Sequence, residues 1–230
     1  SNDGAPSFAG NRVLTWARAD SATSLVTVDV TGGNMHRVRM PLDAREFRLS
    51  PDGKWLLYSA GPWQSAKLYV SGPEGGNPRA ITDGTVALFN AAWSADGKRI
   101  AYTSMDSTRQ LQIGVMNADG SAQRIITKFT KDDGSPQWPS WSPDSRTIAV
   151  QSGKYSRVQS ENTAHIWHMD VASGKATKLA AHDKNYLDET PSFFPDGKRI
   201  AFQSDRTGVM HVWVMNVDGT GAKQVTSWKP

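Results

Sequence analysis

The side chains best equipped for chemistry gather between Lys128 and Glu189. Two carboxylate pairs, Asp132–Asp133 and Asp188–Glu189, could serve a glycosidase if two of their members stood at a defined separation. Among them lie Gln137, Trp138, Tyr155, Arg157, Glu161, His182, Asp183, Lys184 and Tyr186. Aromatic rings mixed with charges suit the binding of a glycan or a peptide. The competing reading is a set of ordinary solvated loops, because polar loop composition is only a correlate of function. His165 and His168 flank Trp167, and His182 follows. A metal site would need them to converge with supporting partners. Three residues apart on a strand, His165 and His168 point to opposite faces. His211 falls on the same strand of the last repeat, which favours a structural or surface role. Without cysteine, thiolate metal sites and disulfides are excluded. Gly32-Gly33 and Gly75-Gly76 open no helix, so a phosphate loop is unsupported. No cofactor or metal is expected.

Whatever these residues do, they must be held by the repeats around them. The stretch from Thr190 to Ser204 reads as a short apolar strand, a Pro-Asp-Gly turn and a second strand. Variants of it recur five times, with turn glycines or their equivalents at Gly10, Gly53, Gly97, Ser145 and Gly197. The intervals are 43, 44, 48 and 52 residues, against about 40–45 for propeller repeats of the WD type. The two longer intervals therefore carry loop insertions. Each repeat offers four strand-like pieces, in the last repeat Pro191–Phe194, Arg199–Ser204, His211–Val217 and Lys223–Thr226. Pro sets φ at the first turn position, Asp bonds its own backbone and Gly accepts positive φ, so the turns are hairpin signals with a mechanism. Asp52, Asp96, Asp144 and Asp196 recur there as turn residues, while Trp93, Trp141 and Phe193 read as packing between sheets.

Four antiparallel strands per repeat, repeated about an axis, make a β-propeller. The expected architecture is an all-β propeller of five four-stranded blades, covering residues 1–230 as one domain. The repeats fall at about 5–40, 44–82, 89–127, 138–181 and 190–227. Each blade takes its strands from one repeat, so closure would rest on the first and last blades packing face to face. In such a blade the turns after strands one and three share one face of the disc, and the loops after strands two and four share the other. The first face is uniform. The second holds the length variation and the candidate residues, and variable loops on a rigid scaffold are where function concentrates.

The 230 residues carry a formal charge of +4 with the 26 basic residues scattered, so nucleic-acid binding has little support. No apolar run approaches the ~20 residues of a membrane span, and the start shows no signal-peptide pattern. A monomer is expected.

The last repeat, Pro191 to Thr226, carries Pro-Asp-Gly-Lys-Arg-Ile-Ala-Phe, then Asp205-Arg206-Thr207-Gly208 and Trp213-Val214-Met215-Asn216. It resembles the repeat of the TolB-like propeller family, the WD40-like repeats of the Tol-Pal type. The second to fourth repeats match the Ser-Pro-Asp-Gly core, with Ala95 and Ser145 as single departures, and the first matches loosely. The resemblance implies a periplasmic or secreted binding propeller that holds a protein, peptide or glycan at the loop-rich face. Similar repeats form accessory domains of prolyl-oligopeptidase-like peptidases, whose Gly-x-Ser-x-Gly elbow is absent here. The alternative is a carbohydrate-active hydrolase or lyase using carboxylates or histidines of the 128–189 loops.

Overall fold

The computed structural model describes residues 2–3, 7–9, 12–19, 22–40, 43–155, 162–179 and 186–227. They form five antiparallel sheets in chain order, arranged as the blades of a propeller. Blade one holds β1 (Asn2–Asp3), β2 (Ser7–Ala9), β3 (Arg12–Ala19), β4 (Ala22–Asp29) and β5 (His36–Met40). Blade two holds β6 (Arg45–Leu49), β7 (Leu56–Ala60), β8 (Lys67–Ser71) and β9 (Arg79–Ala80). Blade three holds β10 (Ala87–Trp93), β11 (Arg99–Met105), β12 (Leu111–Asn117) and β13 (Arg124–Ile125). Blade four holds β14 (Ser135–Trp141), β15 (Thr147–Lys154), β16 (Thr163–Asp170) and β17 (Ala176–Lys178). Blade five holds β18 (Asp188–Phe193), β19 (Arg199–Ser204), β20 (His211–Asn216) and β21 (Lys223–Gln224). The irregular first repeat builds its inner edge from two pieces, since β1 and β2 both pair with β3. Among the described residues there is no α-helix, only a single 3-10 turn at Trp63–Ser65, and no helix long and apolar enough to cross a membrane.

The turn face is built by one device repeated. In blade three, Ser94 donates its hydroxyl to Asp96 Oδ1 at 2.6 Å, which in turn accepts the Lys98 amide at 3.0 Å. Blades two and four repeat this with Ser50–Asp52 and Ser142–Asp144. The third turn position is left-handed at Gly53, Gly97 and Gly197, and Ser145 adopts φ 59° in their place. These aspartates are therefore turn residues, as expected.

Apolar faces of successive blades meet in four cores. Phe47 and Leu56 face Leu14 and Leu25 of blade one. Leu57 and Leu68 meet Ile100 and Tyr102, Ile113 and Val115 meet Ile148 and Met169, and Ile166 and Leu179 meet Ile200 and Phe202. Trp141 and Phe193 belong to the last two of these packings, as their apolar character suggested.

Face-to-face packing of the first and last blades is not seen among the described residues. Ile81, Ile126, Leu179 and Val225 hold one register position, each donating its amide to the third strand of its blade. The first three are 7%, 7% and 4% exposed beneath the following blade, whereas Val225 is 58% exposed. On blade one the opposite face, with Val13, Val26 and Val28, is half-exposed.

Candidate functional site

The first strands of neighbouring blades lie against one another around the axis, so their residues line the centre. These strands begin earlier than the apolar patterning indicated. β10, β14 and β18 start at Ala87, Ser135 and Asp188, each with a bulge part-way along. At the bulge a non-glycine residue takes a left-handed conformation: Glu46 (φ 60°), Asn90 (φ 50°), Trp138 (φ 54°) and Thr190 (φ 50°). A bulge shifts the alternation and re-aims side chains. Gln137, Trp138, Asp188 and Glu189, read from sequence as loop residues, therefore sit on inner strands.

The bulges are clasped across blades. Glu46 accepts from Asn90 twice, from its amide N–H at 2.6 Å and its Nδ2 at 2.9 Å, and from the Ser59 hydroxyl at 3.1 Å. Burial pushes the Glu46 carboxyl up, against these hydrogen bonds and the charges of Arg45 and Arg48. Between blades four and five, the Thr190 amide donates to Gln151 Oε1 at 2.7 Å. Gln151 Nε2 donates to Tyr155 Oη at 3.0 Å, and Tyr155 donates to Glu189 Oε1 at 2.9 Å. Burial and the Glu189 charge both push the Tyr155 hydroxyl up, so it remains a donor. Gln137 pairs with Gln151 in the ladder.

Adjacent residues on a strand face opposite ways, and Asp188 and Glu189 show the consequence. Glu189 turns to Tyr155, while Asp188 is 2% exposed. Asp188 takes Arg206 Nη2 at 2.7 Å and Nε at 3.3 Å. The Arg206 guanidinium also lies over Phe202 (5.1 Å), Trp213 (5.2 Å) and Tyr186 (6.0 Å). The neighbouring Asp205 is used differently and accepts the Leu187 amide at 2.9 Å.

Thus Tyr155 and Glu189 meet at the seam of blades four and five beside Gln151, the ladder partner of Gln137, with Tyr186 and Asp188 around Arg206 just behind, while Trp138 sits at the bulge of β14. Arg157, Glu161, His182, Asp183 and Lys184 lie outside the described residues. Asp132 and Asp133 fall elsewhere, on the wall of a cavity of about 510 Å³ whose other lining includes Lys154, Thr163, His165, Trp167 and Lys178. Sequence reasoning missed Lys154, Thr163 and Lys178, which carry no motif and meet only through strand register. His165 lines this cavity and His168 packs on Phe193 at 6.0 Å, so the two histidines do face opposite ways. His211 is buried, 3.4 Å from Thr226 Oγ1. Among the described residues no group of three or more His, Asp or Glu is placed to hold a metal ion.

A family model for the TolB beta propeller domain matches residues 64–229. The chain belongs to this family. An uncharacterised protein of Agrobacterium fabrum is 29% identical over 179 residues, 77% of this chain and 56% of that protein. An uncharacterised peptidase of Bacillus subtilis is 28% identical over 82% of this chain but only 26% of its own length. The chain thus spans little more than half of the first of these curated relatives and about a quarter of the second. Among solved structures, TolB from Acinetobacter baumannii superposes with a TM-score of 0.74 at 17% identity, covering 95% of this chain and 52% of that one. An oligogalacturonate lyase from Vibrio parahaemolyticus gives 0.68 at 17% identity, covering 93% and 65%. At such identities these two likenesses speak for the fold alone.

Proposed function

We propose that this member of the TolB propeller family is a non-catalytic binding module that holds a protein, peptide or glycan at its loop-rich face, centred on Gln137, Trp138, Tyr155 and Glu189. The observation that carries this reading is how the carboxylates of that face are used. Asp188 is locked to Arg206, Glu189 to Tyr155, Asp133 to the amide and hydroxyl of Thr130, and Glu46 to Asn90. Groups committed to holding blades and loops together favour a rigid binding surface over acid–base chemistry. A half-exposed aromatic beside an amide and a carboxylate supplies both a stacking face and oriented hydrogen bonds. The hydrolase or lyase reading would need two of these carboxylates freed and facing one cleft, and their present bonds weigh against it. Family membership makes a periplasmic or secreted setting the expected one.

The test is a peptide and glycan binding screen on the wild type, repeated with Tyr155→Ala, Trp138→Ala and Tyr186→Ala. A hit should weaken at least tenfold in the Tyr155 or Trp138 variant while the fold, followed by circular dichroism, is kept. A hit that all three variants bind as well as the wild type would move the site away from Gln137, Trp138, Tyr155 and Glu189 and overturn this reading of where the ligand sits.

A further inference from the structure

The 510 Å³ cavity is a second feature of the loop-rich face, and its construction is specific. Its floor is one side of blade four. Strand register places Ser152 opposite His165, Lys154 opposite Thr163, and Trp167 opposite both Val150 and Lys178. Alternation therefore puts Ser152, Lys154, Thr163, His165, Trp167 and Lys178 on a single side of the sheet, the side that meets blade three.

Its wall is the segment leading out of blade three. Phe129 packs on the Trp167 indole at 4.8 Å. Gly134, at φ 88°, lies so close to β15 that a Cβ there would stand 2.7 Å from the Gly153 carbonyl oxygen. Gln110 Nε2 donates to the Gly134 carbonyl at 3.2 Å, and the Ser152 hydroxyl donates to the Asp133 carbonyl at 2.7 Å. Thr130 occupies the Asp133 carboxylate. The wall is thus fastened before any ligand arrives, which lowers the ordering cost of binding.

The groups this leaves at the rim are of two kinds. Lys154 and Lys178 are exposed cations, and Asp132 is an exposed carboxylate 3.4 Å from Lys154 Nζ. Thr163 adds a hydroxyl and Trp167 an aromatic surface. A lining this polar does not suit an apolar ligand. A simple anion would gain from the lysines but not from Asp132 or the indole. A ring bearing vicinal hydroxyls and one carboxylate uses all of them: its carbon–hydrogen face packs on the aromatic surface, its hydroxyls bond the Asp132 acceptor and its carboxylate meets a lysine. The volume lies within the range of small-ligand pockets, about 300–1,000 Å³.

We propose that this cavity binds a carboxylated sugar, one or two uronic acid units long, with the ring against Trp167 and the carboxylate toward Lys178. The inference rests on the reading of the loop-rich face as a binding surface but uses different residues from Gln137, Trp138, Tyr155 and Glu189. The probes are galacturonic acid and its dimer, with galactose and acetate as controls, followed by saturation-transfer NMR and titration calorimetry. The uronates should bind, and galactose and acetate at least tenfold more weakly. Lys178→Glu should weaken uronate binding at least tenfold, Asp132→Ala several-fold, and Tyr155→Ala not at all. Both Lys178 and Asp132 are exposed, so these variants keep the fold. Equal binding of galactose, no uronate binding, or unchanged affinity in Lys178→Glu would each overturn the proposal. Loss in Tyr155→Ala with retention in Lys178→Glu would place the uronate at the seam beside Tyr155, overturning this inference while leaving the loop-face reading intact.

Discussion

Two ion pairs of nearly equal length stand at opposite ends of β19. At the turn end Arg199 meets Asp196 at 2.8 Å, with side chains 48% and 38% exposed. At the loop end Arg206 meets Asp188 at 2.7 Å, with side chains 11% and 2% exposed. Distance does not separate them; solvent does. Water screens the first pair and stands ready to replace either partner. The second was desolvated on folding, and each charge depends on the other. The same contrast runs across the molecule. The turn-face aspartates bond within single turns, whereas the inner strands near the loop end also bond across strands and between blades, as Asp188, Glu189 and Glu46 do.

The largest expected effect comes from breaking the buried pair. Arg206→Ala strips the buried Asp188 carboxylate of its guanidinium partner inside blade five and removes that guanidinium from over Phe202 and Trp213, for a cost of about 3–5 kcal/mol. Arg199→Ala should shift the urea midpoint by an amount within experimental error, since exposed pairs contribute little. Equal losses would break the comparison. A sharper version replaces both buried partners with apolar residues, as in Asp188→Leu with Arg206→Met, which should recover most of the Arg206→Ala loss.

A second contrast concerns one register position in different blades. Leu179, under blade five, is 4% exposed, and Val225, its equivalent in the last blade, is 58% exposed. Leu179→Ala should cost about 2–5 kcal/mol through lost burial and the cavity left behind. Val225→Ala should cost a few tenths, on the order of an ordinary surface change. A large loss at Val225, measured by urea denaturation, would mean that its face is covered in solution.

Sequence made much of this legible and left a definite part out. The turn chemistry of Asp52, Asp96 and Asp144 follows from local rules, because each bonds residues two positions away, while the repeat and the packing role of Trp141 were legible because the same pattern returns blade after blade. The clasp of Glu46 on Asn90 and the pairing of Asp188 with Arg206 span 44 and 18 residues, and no periodicity announces them. The bulges hid the inner strands: a left-handed residue at Asn90, Trp138 and Thr190 breaks the alternation by which a strand is recognised. The cavity on blade four was hidden because Lys154, Trp167 and Lys178 share a side only once three strands are in register.

Acid titration distinguishes the turn face from the blade seams by sign. The Ser142 hydroxyl and the Arg146 amide hold the Asp144 carboxyl below its ordinary value. Its contribution is therefore present above about pH 3.8, the unfolded reference, and is lost as the pH falls through the lower folded value. Glu46 is the reverse. Burial holds its carboxyl above the ordinary 4.5, so the folded state binds that proton more tightly. Protonation of Glu46 adds stability as the pH falls through the raised value, complete below about 4.5, and the gain disappears as the pH rises again. Urea midpoints across this range should show the wild type gaining on Glu46→Gln as the pH falls toward 4.5. The advantage of the wild type over Asp144→Asn should hold to about 3.8 and then vanish. Parallel curves for the Glu46 variant and wild type would refute the buried-carboxylate account of that seam.

At the loop end itself, a small effect on stability is expected at Tyr155. Its hydroxyl joins Gln151 to Glu189, yet the residue is 47% exposed. Water can therefore take over both bonds in Tyr155→Phe, and the cost should stay below about 1 kcal/mol. This is where the loop end ceases to behave like the buried Arg206 pair: its outermost polar contacts are cheap to break, as a surface that exchanges them for a ligand requires. Tyr155→Phe keeps the ring and frees the Glu189 carboxylate, so a ligand that stacks on the ring should be retained and one that bonds the hydroxyl should weaken. Tyr155→Ala should weaken both. A loss of stability in Tyr155→Phe comparable to that of Arg206→Ala would instead make the Gln151–Tyr155–Glu189 chain a structural staple and remove it from the binding surface.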